Sequence, residues 1–190
     1  MKKLTLKAMV AIGMLSSVSY ILMLLNFPLP LFPNFLLIDF SDIPALIAAL
    51  AFGPVAGILV ELIKNLLDYF MTGSQTGVPV GHIANFLAGI LFILPTYFVY
   101  NRIKTKKGLS IALVAGTVTM AILMSLLNYY IILPAYTMFL NAPAMADSEA
   151  RKLIVMAILP FNILKGVIVS LLFVPLYVRM NVWINRQASI

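Results

Sequence analysis

The chain has 190 residues, of which 63% are apolar and only 10% charged, and its mean hydropathy is +1.06. Soluble domains carry roughly 25% charged residues, so this is an all-α integral membrane protein with room for about six spans of ~20 residues in one domain, 1–190. The absence of cysteine excludes disulfides and thiolate chemistry, and the +7 net charge falls where helices end, which marks a basic membrane face and not a nucleic-acid surface.

Lys2, Lys3 and Lys7 precede an apolar run to about Leu25. The run is too long for a signal h-region and no small-x-small cleavage site follows, so helix 1 is expected to be retained. Its small residues include Gly13 and Ser17, four apart, a spacing that admits a closely packed neighbouring helix. That neighbour is either inside the bundle or a partner protein. From Asn26 to Ile43, Pro28, Pro30 and Pro33 break the helix pattern, yet Phe27, Phe32, Phe35 and Phe40 keep the segment apolar. Loops normally run through water, so this one is expected to fold back as a lid over a cavity or to rest on the membrane.

Asp42 and Pro44 start a short helix 2 that ends near Phe52. Gly53-Pro54 then turns into helix 3, which runs to about Phe70 and carries Glu61, Lys64, Asn65 and Asp68. Residues three and four apart share a helix face, so these four form one polar stripe. Each ionisable group at membrane depth costs at least ~2.5 kcal/mol on insertion scales. The stripe is therefore either a structural ion pair or the wall of a polar pocket. Thr72 to Val78 is a polar loop. Helix 4 runs from Pro79 to about Tyr100 with His82 and Asn85 near its start. One histidine without cysteine makes a metal site improbable.

Helix 5, from Gly108 to about Leu140, contains Asn128, and helix 6, from Ala150 to Trp183, contains Asn162 and Lys165. At ~1.5 Å per residue helix 6 is about 51 Å long, well beyond a ~30 Å hydrocarbon core, so it must tilt or project. No internal repeat is apparent, which removes support for an inverted-repeat transporter. Nine of the 13 basic residues lie in the N-terminal, middle and C-terminal segments, which six spans place on one side. No acidic residue lies there, so that side, with both termini, is expected to be cytoplasmic.

With helices 3 and 5 running outward and 4 and 6 inward, Glu61, Lys64, Asn85, Asn128, Asn162 and Lys165 can meet in the outer half of the bundle, beneath Asp39 and Phe40 of the lid. Amides offer donors and acceptors together and lysine adds donors. Such a set suits a neutral, hydrogen-bonding, partly apolar ligand. No catalytic triad, metal cluster or Gly-rich nucleotide loop is present. The competing function, a small membrane enzyme acting on lipid, would call for phosphate-gripping arginines, and only Arg151 faces outward.

The segments FGPVAGILVELIKNLLDYF, GVPVGHIANFLAG and LPFNILKG resemble the riboflavin-specific S components of energy-coupling factor (ECF) vitamin transporters. The resemblance covers essentially the whole chain. It implies a six-helix subunit of the bacterial cell membrane that binds riboflavin as transported substrate, without a cofactor or catalysis of its own. It further implies a transmembrane coupling subunit and two cytoplasmic ATPases as partners. In that family helix 1 carries an Ala-x-x-x-Ala docking motif, whose place Gly13 and Ser17 take here. Another flat vitamin remains the alternative ligand.

Overall fold

The computed structural model describes residues 5–74, 76–143 and 145–188, and six helices in one bundle account for most of them. Helix α1, Leu6–Leu24, begins at Thr5, whose hydroxyl accepts from the Ala8 amide at 3.3 Å and so caps a free helix donor. Ala8, Ile12, Ser16, Ser19 and Met23 recur every three or four residues and are its buried face. Gly13 and Ser17 lie on the exposed side, with no atom within 4 Å of where a Gly13 Cβ would stand.

The proline-rich segment folds into a small hairpin. Strands β1, Phe27–Pro28, and β2, Leu37–Ile38, pair antiparallel, Phe27 opposite Ile38. Phe32 packs on Phe161 with ring centroids 5.5 Å apart, and Phe35 lies 6.1 Å from Tyr136. The segment therefore does fold back over the bundle. Its tip, Leu31, is 92% exposed.

Helix α2, Asp42–Phe52, is buried from Asp42 through Ala51. Its 11 residues reach only about 16 Å, so it lies within the bundle as a central strut. Gly53, at φ +97°, makes the left-handed turn into α3, Pro54–Thr72, with Pro54 at the first helical position. A Cβ at Gly57 would stand 2.8 Å from that of Ala49, so α2 and α3 cross at a contact only small residues allow.

Helix α4 is Val80–Ile103. The other two helices are each interrupted by a π turn, which the sequence pattern does not announce. Helix α5, Lys106–Phe139, contains the π turn Asn128–Ile132. Helix α6 starts at Asp147, passes through the π turn Ile154–Ile158, and continues over Leu159–Ala188. It is longer than the expected Ala150–Trp183 because a polar turn precedes the apolar stretch. Four helices (α1, α4, α5 and α6) are long and apolar enough to cross a membrane by length and composition.

Candidate ligand cavity

An open cavity of about 800 Å³ lies under the hairpin, bordered by all the helices except α2. Five of the expected site residues line it: Asp39, Asn85, Asn128, Asn162 and Lys165. Its walls are otherwise largely apolar, with Phe35, Met124, Ile132, Tyr136 and Phe161 among them, as in most small-molecule sites. Asn128 opens the π turn of α5, and Asn162 follows that of α6 by one turn. Such turns recur at functional sites, where a surplus residue re-aims a side chain. Each asparagine donates its Nδ2 to the carbonyl four residues back, Met124 O and Ile158 O, both at 2.8 Å. What remains to offer a ligand is the amide oxygen, an acceptor, and the second N–H of each amide.

Lys165 adds a charged donor. Its ammonium lies 3.3 Å from Asp39 Oδ2 and 3.3 Å from Asp42 Oδ2. An ammonium has three N–H groups, so one is left for the cavity. Asn85 Nδ2 donates to the same Asp39 oxygen at 3.4 Å, and its Oδ1 accepts from Asn65 at 3.4 Å. At the mouth His82 Nε2 lies 3.0 Å from Asp68 Oδ2, while Thr72 donates to Asp68 Oδ1 at 3.0 Å. This dyad closes the loop between α3 and α4.

Glu61, Lys64 and Phe40 do not reach the cavity. Lys64 is completely buried behind it, 2.7 Å from Asp42 Oδ1, 2.9 Å from Glu61 Oε2 and 2.6 Å from Ser41 Oγ. The carboxylate at the start of α2 draws the ammonium inward, away from the ligand space. The Glu61 carboxylate lies against Gly89 of α4, where an added Cβ would stand 2.3 Å from Oε2. Phe40 packs on the Phe27 ring at 6.3 Å and on the core. So the α3 stripe divides: Glu61 and Lys64 belong to a buried charge cluster, and Asp68 to the cavity.

Asp42 and Ser41 are the contributors that sequence reasoning missed. Their lysine partners lie 22 or more residues away, so no local spacing reveals them. The one signal was Asp39-Phe-Ser-Asp42, two acids leading into a wholly apolar helix, which is costly unless cations wait there.

The sequence profile of the family "ECF transporter, substrate-specific component" matches residues 7–177. The chain is 52% identical over 183 residues to the riboflavin transporter FmnP of Bacillus subtilis (strain 168), covering 96% of each chain. It is 43% identical to the riboflavin transporter RibU of Staphylococcus aureus (strain TCH60), over 95% of this chain and 93% of that one. A solved S component of a bacterial ECF transporter superposes with a TM-score of 0.79 at 40% identity, covering 93% of this chain and 96% of the other. These relatives are substrate-binding components of a transporter and not enzymes, which removes the lipid-modifying alternative. The chain belongs to the ECF transporter substrate-specific components.

Proposed function

We propose that this protein captures riboflavin from outside the cell and delivers it through an ATP-driven complex with a transmembrane coupling subunit and two cytoplasmic ATPases. The observation that carries the reading is the 52% identity, end to end, to a riboflavin transporter. The cavity supports it. A flavin ring is flat, with carbonyls and an imide N–H along one edge, and its ribityl chain carries hydroxyls. Asn128 and Asn162 offer acceptors for N–H or O–H, and the spare N–H of Lys165 donates to a carbonyl. The apolar walls take the ring, and the hairpin shields its outer side.

Purified protein is expected to be yellow, with a flavin absorbance spectrum, and to bind riboflavin without sodium. Alanine at Asn128, Asn162 or Lys165 should each cost ~1–3 kcal/mol of binding, read by quenching of flavin fluorescence. Three unaltered titrations would place the ligand elsewhere, and selective binding of a different flat vitamin would replace riboflavin in this reading.

The proposed orientation puts both termini and the loop holding Arg102, Lys104, Lys106 and Lys107 in the cytoplasm. It leaves the hairpin outside. Since the chain has no cysteine, single cysteines at Lys106 and Ser74 decide the matter. Only the one at Ser74 should react with a membrane-impermeant thiol reagent on intact cells, and labelling at Lys106 would reverse the topology.

A further inference from the structure

Ser41 sits between β2 and α2, fully buried, and does not line the cavity. All its hydrogen-bonding atoms are nevertheless engaged, with groups from three other parts of the fold. Its amide donates to Asp39 Oδ1 at 2.9 Å, and its hydroxyl donates to the same oxygen. The hydroxyl oxygen accepts from Lys64 Nζ at 2.6 Å, and its carbonyl accepts from Ser19 Oγ of α1.

We propose that Ser41 is a positioning residue for the ligand site, aiming the Asp39 carboxylate at Lys165. Two donors on Oδ1 fix the rotation of that carboxylate, so that Oδ2 turns towards Lys165 and Asn85, which line the cavity. The hydroxyl also relays charge. Lys64 never touches Asp39, but its N–H polarises the Ser41 O–H that donates to Asp39, and such chains strengthen one another in a low dielectric. With the aim lost, Asp39 is free to turn, Lys165 shifts towards Asp42, and the N–H meant for the ligand is misdirected. The inference rests on the riboflavin reading above, and it concerns a residue that touches no ligand.

The test is a double-mutant cycle in riboflavin affinity between Ser41→Ala and Asp39→Asn, with Ser41→Thr as the hydroxyl-keeping control. Ser41→Ala is expected to weaken binding about tenfold, as for one buried hydrogen bond. Ser41→Thr should recover to within about threefold of wild type. In the Asp39→Asn background, where the ion pair to Lys165 is already gone, Ser41→Ala should add less than about twofold. A purely structural serine would lower the melting temperature in both backgrounds and give affinity losses that multiply. That result, or an unchanged affinity in Ser41→Ala, overturns the proposal. Should Ser41→Ala fail to fold, Ser41→Cys carries the same comparison, since a thiol fills the space but donates weakly. Wild-type protein that binds no riboflavin would overturn the ligand reading and this inference with it, whereas multiplying losses in a protein that binds riboflavin overturn this inference alone.

Discussion

Replacing Lys64 by methionine is expected to destabilise the protein more than any other single change considered. Methionine fits the volume, but it takes one of two cations from Asp42 and strands Glu61, both carboxylates being essentially unexposed, beside an apolar side chain. Removing one partner of a buried pair costs about 3–5 kcal/mol, because the other charge stays behind without compensation. Asp42 keeps Lys165, whereas Glu61 has no other partner close enough for an ion pair among the described residues. The melting temperature in detergent should fall by roughly 10 °C. The double variant Lys64→Met with Glu61→Gln removes both charges together and should recover about half of that loss. A single variant that melts like the wild type would mean that the cluster is not the buried lock described here.

The second large effect falls on transport and leaves binding alone. Gly13→Leu or Ser17→Leu adds bulk to the exposed side of α1, opposite the face that Ile12, Ser16 and Ser19 present to the bundle. Open space surrounds Gly13, so the larger side chain disturbs nothing within the protein. In the membrane, small residues in this spacing let a partner helix approach closely. Both variants are expected to bind riboflavin with wild-type affinity yet lose ATP-dependent uptake and fail to co-purify with the coupling subunit. Normal uptake by the double variant would move docking to another face. Loss of riboflavin binding would return α1 to a packing role.

The helices and the fold-back of the hairpin were legible because apolar runs, prolines and glycines act locally. The convergence of Asn85, Asn128, Asn162 and Lys165 was legible too, since alternating helix direction fixes their depth. Glu61 and Lys64 were misplaced for the opposite reason. A stripe on one helix says which residues share a face, but not which neighbour that face meets. Here α2 intervenes with Asp42 and claims the lysine. The π turns left no trace, because one surplus residue hardly disturbs a hydrophobic pattern that tolerates three- and four-residue steps alike.

Those two π turns also bear on how the binding site can change over time. A π turn holds one residue more than the α turn it replaces, and each residue advances a helix by about 100°. Everything beyond the turn is thereby swung in phase relative to everything before it. In α5 the part beyond the turn is Leu133–Phe139, whose Tyr136 lines the cavity; in α6 the part before the turn is Asp147–Leu153, which does not. Deleting a single residue within the π turn of α5, between Asn128 and Ile132, would rotate Leu133–Phe139 with Tyr136 and leave the helix before the turn, with Met124, in its packed register. The rim of the cavity can therefore be recut one residue at a time above a floor that stays fixed, a route by which one bundle can come to admit ligands of different outline.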